Sequence, residues 1–248
     1  SWELSWQVRS FVDFQGSWAA AAGALLAVAY LALIGRDAGP GWPVRRHFSL
    51  YAGHGAAPVA AALLAWTLYV NFTEDGSAAP LPYLPLLNPL DLMLAAAFLA
   101  LAGWALSAKR KHGLQPLAAM PWSTLYVALG APAFVWINGI VLRSLHHYAE
   151  VPFRLQAMLH STLVQAAFSL LWTVTALALM YIAAQRALRE LWLAGAGLLA
   201  VVVVKLFTVD IAHVGGVPRI VSFIGVAVLM LVIGYLAPLP PKPGENAP

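Results

Sequence analysis

Seven long apolar stretches constrain the fold of this chain more than any other feature of its sequence. They lie at residues 17–34, 55–72, 89–107, 121–143, 161–184, 190–210 and 219–237. A helix needs about 20 mainly apolar residues to cross the hydrocarbon core of a bilayer, which is about 30 Å thick. The run LLAVVVVKLF has no alternation of polar and apolar residues, which excludes a transmembrane β-barrel. The stretches therefore predict an all-α, polytopic helical membrane protein with about seven transmembrane helices.

The composition supports lipid as the solvent and excludes several other classes of protein. Charged residues make up 10% of the 248 residues, against roughly 25% in an ordinary globular domain. So few charges cannot cover a surface that faces water, which excludes a soluble domain, a disordered chain and a nucleic-acid-binding module. The sequence contains no cysteine, which excludes a disulfide-stapled secreted domain, thiol catalysis and thiolate ligation of metals.

The sequence divides into three parts. Residues 1–16 mix aromatic, apolar and charged residues and predict an amphipathic segment that lies at the membrane interface. Residues 17–237 form the transmembrane domain, and residues 238–248 form a proline-rich tail that cannot continue the last helix. Within the domain, Asn88 is typical of a helix N-cap, and Pro132 predicts a kink in the fourth stretch.

The distribution of basic residues predicts the orientation in the membrane. Nine lysines and arginines lie in the tail and in the loops after the first, third and fifth stretches, whereas four lie on the opposite side. Cytoplasmic loops carry an excess of these residues. The N-terminus is therefore predicted outside, and the C-terminal tail is predicted in the cytoplasm.

In this orientation, the unusual polar residues collect toward the outer ends of the third to seventh stretches. They are Asp91, Asn138, Arg143, His146, His147, Glu150, His160, Lys205, Asp210, His213 and Arg219. Ionisable side chains are costly in hydrocarbon, so they usually face one another or a water-filled cavity. These residues therefore predict a polar cavity that opens on the outer side.

Lys205 is the most informative of these residues because it lies inside the sixth stretch. A lysine at mid-helix costs roughly 2.5–3.5 kcal/mol on insertion scales, so we expect it to have a partner on another helix, such as Asp91 or Glu150. Asp210 follows about 140° around the helix and is poorly placed for a pair within it. The alternative is that the Lys205 amine extends to the lipid headgroups.

Two interpretations of the polar set stay open at this point. A histidine titrates near neutral pH and can act as a general base, and an arginine can hold a phosphate, so the set suits group transfer from a lipid-linked donor. In that interpretation the catalytic residues are His146, His147, Lys205 and Asp210. The substrate-binding residues are Asn138, Arg143, Glu150, His160, His213, Arg219 and Asp91. In the other interpretation, the same side chains form a hydrogen-bonded plug that fixes helix packing.

The segment RSLHHYAEVPF has the spacing of metal ligands but predicts no metal site. His146 and His147 lie four and three residues before Glu150, so the three side chains would share one helix face. No further ligand is fixed by spacing, and the fold would have to supply His160, Asp210 or His213, so the set is incomplete. A haem held by His146 and His160 is disfavoured because Pro152 interrupts the stretch between them. The sequence identifies no cofactor.

Roughly residues 85–240 contain several distinctive blocks, of which the most specific are VQAAFSLLWTVTALALM, VVVVKLFTVDIA and RIVSFIGVAVLMLVIGYLAPLPP. These blocks resemble the C-terminal part of a bacterial family of predicted multi-pass membrane proteins, the domain of unknown function 2339. The resemblance implies a bacterial inner-membrane location and a longer chain in which Ser1 is an internal point. It implies no catalytic residues, because the domain has no assigned function.

Three functions are consistent with the sequence, which does not decide whether the protein is an enzyme. The first is an integral inner-membrane module whose periplasm-facing cavity takes part in envelope polysaccharide or lipid-linked group transfer. The second is a non-catalytic structural or partner-binding subunit. A transporter ranks third because only Pro132 clearly breaks a span and no repeat is visible. The expected partners are the bilayer and other membrane or periplasmic subunits, or an upstream part of the same chain, but no nucleic acid.

Overall fold

The apolar stretches fold as helices because a helix satisfies its backbone hydrogen bonds internally, which hydrocarbon requires. The computed structural model describes residues 17–36, 46–47, 50–110, 117, 119–186, 188–206, 208 and 231, and in this part of the chain the only regular structure is helical. The long helices are α1 (Trp18–Gly35), α2 (Tyr51–Thr73), α3 (Pro89–Arg110), α4 (Trp122–Ala149), α5 (Thr162–Gln185) and α6 (Arg189–Lys205). A six-residue helix, Leu155–His160, precedes α5.

Five of these helices, α1 to α5, are long and apolar enough to cross a membrane, which confirms the prediction of a multi-pass helical membrane protein. The sixth predicted stretch contains α6. The seventh stretch lies outside the described residues except for residue 231, and the predicted segments 1–16 and 238–248 lie outside them entirely. The total of seven spans and the orientation therefore stay predictions.

The ends of α3 and α4 follow from local chemistry. Asn88 caps α3, as predicted, because its Oδ1 accepts a hydrogen bond from the backbone N–H of Asp91 at 2.9 Å. Helix α4 runs through Pro132 and extends six residues beyond the predicted end at residue 143. It ends at Glu150, whose left-handed backbone (φ 56°) stops the helix.

Helix α2 begins with a wide π-helical turn at Tyr51–Gly55. Two side chains from neighbouring helices bind carbonyl groups of this turn. The indole Nε1 of Trp104 donates to the Ala52 oxygen at 2.8 Å, and the Tyr30 hydroxyl donates to the Tyr51 oxygen at 3.1 Å. These bonds fix the start of α2 against α1 and α3.

The described chain forms two compact units, and the first contains α1 to α4 within Ser1–Leu155. Ala20 of α1 packs near Leu90 and Leu94 of α3, whereas Gly35 lies against Trp104 at the other end. Helices α1 and α3 therefore run parallel. Helix α2 contacts both and runs antiparallel to them, and α4 contacts α2 and α3. The core of this unit contains Leu31, Ile34, Leu63 and Leu101 with small alanines between them.

The second unit, Gln156–Pro248, contains α5 and α6, which pack closely along each other. Their contact is built from Ala176, Met180 and Leu199. At Gly195 the approach is tight, because a Cβ atom there would lie 2.9 Å from the Ala176 carbonyl oxygen. Large apolar side chains such as Leu170 and Val204 stay exposed, as expected for surfaces that face lipid.

Candidate functional site

The main polar feature of the first unit is an ion pair between Asp91 of α3 and Arg143 of α4. The Arg143 Nη2 lies 2.6 Å from the Asp91 Oδ1, and both side chains are completely buried. A charge-assisted hydrogen bond of this length is among the strong ones in proteins. The sequence placed both residues in the polar set but did not pair them.

Three further donors from the protein satisfy the Asp91 carboxylate. The Trp136 indole donates to Oδ1 at 3.0 Å, and the Asn88 amide donates to Oδ2 at 2.5 Å. The backbone N–H of Leu86 also donates to Oδ2, at 3.3 Å. A buried carboxylate is costly unless it is paired and hydrogen-bonded, and this set meets that requirement. The N-cap of α3 and the ion pair therefore share one carboxylate.

Arg143 connects α4 to the end of α2. Its Nη1 donates to the backbone oxygen and the Oδ1 of Asn71, at 3.3 Å and 3.2 Å. The Asn71 amide in turn donates to the Val135 oxygen of α4 at 2.9 Å. Helices α2, α3 and α4 are thus joined by one buried cluster, which we call the Asp91–Arg143 network; its members are Asn71, Asn88, Asp91, Trp136 and Arg143.

Glycines allow the network to form. A Cβ atom at Gly139 would lie 2.0 Å from the Asn71 Oδ1, so no larger residue fits beside Asn71. Gly76 has a positive φ of 76°, and a Cβ atom there would lie 2.7 Å from the Arg143 Cδ. The loop between α2 and α3 therefore passes directly against the arginine and covers it.

Residues 74–88 form this covering loop. The Ser77 oxygen accepts from the Ser17 backbone at 3.0 Å, and the Ala79 oxygen accepts from the Trp18 indole at 3.2 Å. The Tyr148 hydroxyl donates to the Tyr83 oxygen at 2.9 Å. The loop is therefore attached to the start of α1 and the end of α4.

The two adjacent histidines of α4 lie at the edge of the loop, half-buried. His147 stacks on Tyr83 with ring centroids 4.1 Å apart, and its Nε2 lies 3.0 Å from the Asp75 backbone oxygen. His146 has its Nδ1 2.8 Å from the Val151 oxygen and its Nε2 3.9 Å from the Asp75 carboxylate. Burial raises the pKa of Tyr83 above its ordinary value of 10.0.

The structure also describes three other residues of the predicted site. Asn138 is buried and donates to the Phe134 oxygen of its own helix at 2.7 Å. Glu150 is exposed at the end of α4, and His160 is exposed at the end of the short helix before α5. Asp210, His213 and Arg219 lie outside the described residues.

Lys205 belongs to a second polar group, in the unit of α5 and α6. Its Nζ donates to the Gln165 backbone oxygen at 3.0 Å and to the Ser169 hydroxyl at 2.6 Å. Of the two partners that the sequence suggested, Asp91 is bound by Arg143. The two polar groups lie in separate units, so a single site that contains both stays a prediction.

The described residues do not form a metal centre. They contain no group of three or more His, Asp or Glu side chains placed to hold a metal ion. Near the histidine pair, the ring nitrogens with described partners face backbone carbonyls and the Asp75 carboxylate. These contacts support hydrogen bonding at the edge of the loop.

Asn71, Trp136 and Tyr83 are the site residues that sequence reasoning missed. Asn71 had a signal, since it is a lone amide at the end of an apolar stretch and polar groups in such positions usually bond across helices. Trp136 and Tyr83 had no such signal, because aromatic residues are common at membrane interfaces.

Comparison with known proteins identifies a family but no individual relative. No curated protein and no solved structure matches the chain. The model of one protein family matches residues 1–240. This match confirms the resemblance seen in the sequence and extends it to the first 84 residues, which contain α1 and α2. The chain belongs to the family described as predicted membrane protein (DUF2339).

Proposed function

We propose that this chain is a structural, non-catalytic module of a multi-pass protein of the bacterial inner membrane. In this proposal it has seven spans, an external N-terminus and a cytoplasmic C-terminus. The Asp91–Arg143 network then lies toward the outer face, where it fixes three helices and the covering loop as one platform for a partner subunit or for another part of the same chain.

One observation carries this proposal: the ion pair is completely buried, and side chains of α2 and α4 and of the loop before α3 bind it. A group that binds a substrate must be reachable by that substrate. Here the loop backbone at Gly76 packs against the arginine side chain. The geometry therefore supports a closed packing network rather than an open active site.

The proposal is tested with the variants Asp91→Asn and Arg143→Met, alone and combined. Removal of one partner of a buried pair costs about 3–5 kcal/mol, because the other charge is left uncompensated. The double variant removes both charges and keeps an acceptor for the Trp136 indole. We expect each single variant to lower the thermal unfolding midpoint in detergent and the amount of protein in the membrane, and we expect the double variant to recover most of both.

Two results would contradict the structural role. In one, the double variant is as unstable as the sum of the single variants. In the other, the single variants keep full stability but fail to restore the function of the protein in a strain that lacks the gene. That result would make the pair a functional site.

Group transfer at the outer face is the second candidate, and the half-buried histidine pair favours it. His147 stacks on Tyr83, and both histidines lie close to Asp75, so an imidazole next to solvent is held in a fixed position. This candidate predicts that His147→Ala makes a lipid-linked envelope intermediate accumulate without lowering protein yield. His47→Ala, at the opposite end of the bundle, is the matched control. An equal loss of yield and activity at His147 would instead favour packing.

A further inference from the structure

The covering loop exposes apolar side chains where a loop in water would expose polar ones. Residues 76–90 contain no charged residue. Four leucines of this segment have about half or more of their surface exposed: Leu81, Leu84, Leu86 and Leu87, the last at 66%. We call these four residues the leucine patch.

The loop backbone holds the leucine patch outward. Tyr83 is buried and anchors the middle of the loop. Turn hydrogen bonds join Leu81 to Ala78 at 2.9 Å and Leu87 to Leu84 at 3.2 Å. The leucines therefore cannot fold back onto the core without breaking the attachments of the loop.

Leu86 adopts a backbone conformation that leucine rarely occupies. Its φ is 68°, in the left-handed region, where the Cβ of an L-residue is crowded. Its N–H donates to the Asp91 carboxylate, which explains how the strain is sustained. Its side chain is nevertheless about half exposed, so the strained backbone leaves a large apolar surface at the outside of the protein.

The leucine patch continues the surface of α3 that faces lipid. Leu92, one turn into α3, is about half exposed, and Leu99 is 75% exposed. The prolines at 80, 82 and 85 have no backbone N–H. An irregular loop at the edge of hydrocarbon is penalised for each unsatisfied donor, and these prolines reduce their number.

We propose that the leucine patch inserts into the bilayer, with its side chains at the boundary between headgroups and acyl chains and the loop backbone at headgroup depth. The partner is the lipid of the leaflet at this end of the bundle. The loop would then anchor the cover of the Asp91–Arg143 network to the membrane surface, independently of what the network itself does.

The absence of cysteine from the chain makes a direct test possible. Single variants Leu84→Cys, Leu86→Cys and Leu87→Cys are spin-labelled in the full chain and reconstituted in vesicles of phosphatidylethanolamine and phosphatidylglycerol. Collision rates with oxygen, which partitions into lipid, and with a water-soluble nickel chelate are then measured. Leu99→Cys is the lipid reference, and Glu150→Cys is the water reference.

We expect the oxygen-to-nickel ratio at the three loop positions to exceed that at Glu150 several-fold and to approach that at Leu99. A ratio equal to that at Glu150 would overturn the proposal, because the loop would face water. Low collision rates with both reagents would also overturn it, because a protein would cover the patch, and cross-links between copies at Leu87→Cys would identify that protein as a second copy. Unchanged thermal midpoints of the labelled variants show that the loop is still folded.

Discussion

At the scale of single residues, the Asp91 carboxylate does two structural jobs at once. It belongs to the first turn of α3, where a negative charge complements the helix dipole, and it neutralises Arg143. The free-energy cost of removing this carboxylate from water is incurred once, although the carboxylate stabilises both the helix start and the ion pair. A change near this carboxylate should therefore disturb the start of one helix and the packing of two others together.

Gly139→Ala should destabilise the protein through Asn71. The new Cβ would lie 2.0 Å from the Asn71 Oδ1, so the amide must move away from Arg143 or the helices must separate. Overpacking of this kind typically costs about 1–3 kcal/mol. The thermal unfolding midpoint in detergent should fall accordingly.

The matched control is Gly130→Ala on the same helix, where the added Cβ would meet nothing within 4 Å. Alanine is a better helix former than glycine, so this control should keep or raise the midpoint. Equal behaviour of the two variants would mean that Asn71 is not held against α4.

The raised pKa of Tyr83 predicts that the folded protein loses stability at alkaline pH. This pKa is raised in the folded protein, mainly by burial, so the unfolded chain loses the phenol proton first. The favourable contribution of the neutral phenol is complete below pH 10.0 and declines as the pH rises from there through the raised pKa. Unfolding midpoints measured across this range should fall less in Tyr83→Phe than in the parent protein. The exposed Tyr69→Phe should retain the full decline.

The chemical character of these residues could be predicted from the sequence, but their pairing could not. The placement of Asp91, Arg143 and the two histidines at one end of the helices followed from the apolar stretches between them. Which charge meets which depends on which helices are neighbours, and spacing along the chain does not contain that information. Asp91 was therefore considered as a partner for Lys205, whereas the structure pairs it with Arg143.

At the scale of helices, α1 and α3 approach each other closely at Gly35. A Cβ atom at Gly35 would lie 2.9 Å from the backbone nitrogen of Trp104, and a backbone atom cannot turn away as a side chain can. Gly35→Ala should therefore push the two helices apart and lower the thermal midpoint. Gly103→Ala, which would meet nothing within 4 Å, should leave the midpoint unchanged or raise it, and a loss at both positions would contradict this explanation.

Helix ends were predicted well where a local sequence signal marks them and less well where hydrophobicity was the only guide. The predicted start of α3 at residue 89 is confirmed, since the cap chemistry is local. The end of α4 was placed six residues early, because the polar turns after Arg143 are helical without being apolar. Hydrophobicity predicts only the part of a helix that lies in lipid. Helix α4 continues beyond that part until the left-handed backbone of Glu150 stops it.

At the scale of the whole molecule, the orientation can be tested with single cysteines. Glu150 and Arg36 are both exposed and lie at opposite ends of the first unit. In spheroplasts, a membrane-impermeant maleimide should label Glu150→Cys and should label Arg36→Cys only after permeabilisation. The reverse pattern would place the Asp91–Arg143 network on the cytoplasmic side and would rule out a periplasmic role for the histidine pair.

The ion pair also sets an order of events during synthesis. Asp91 leaves the ribosome 52 residues ahead of Arg143, so the third helix reaches the membrane while its carboxylate has no cation to meet. Until the fourth helix arrives, that charge is more stable in water at the membrane surface than in the hydrocarbon. A nascent chain that stops between the two residues would hold an acid at the edge of the hydrocarbon without the cation that neutralises it.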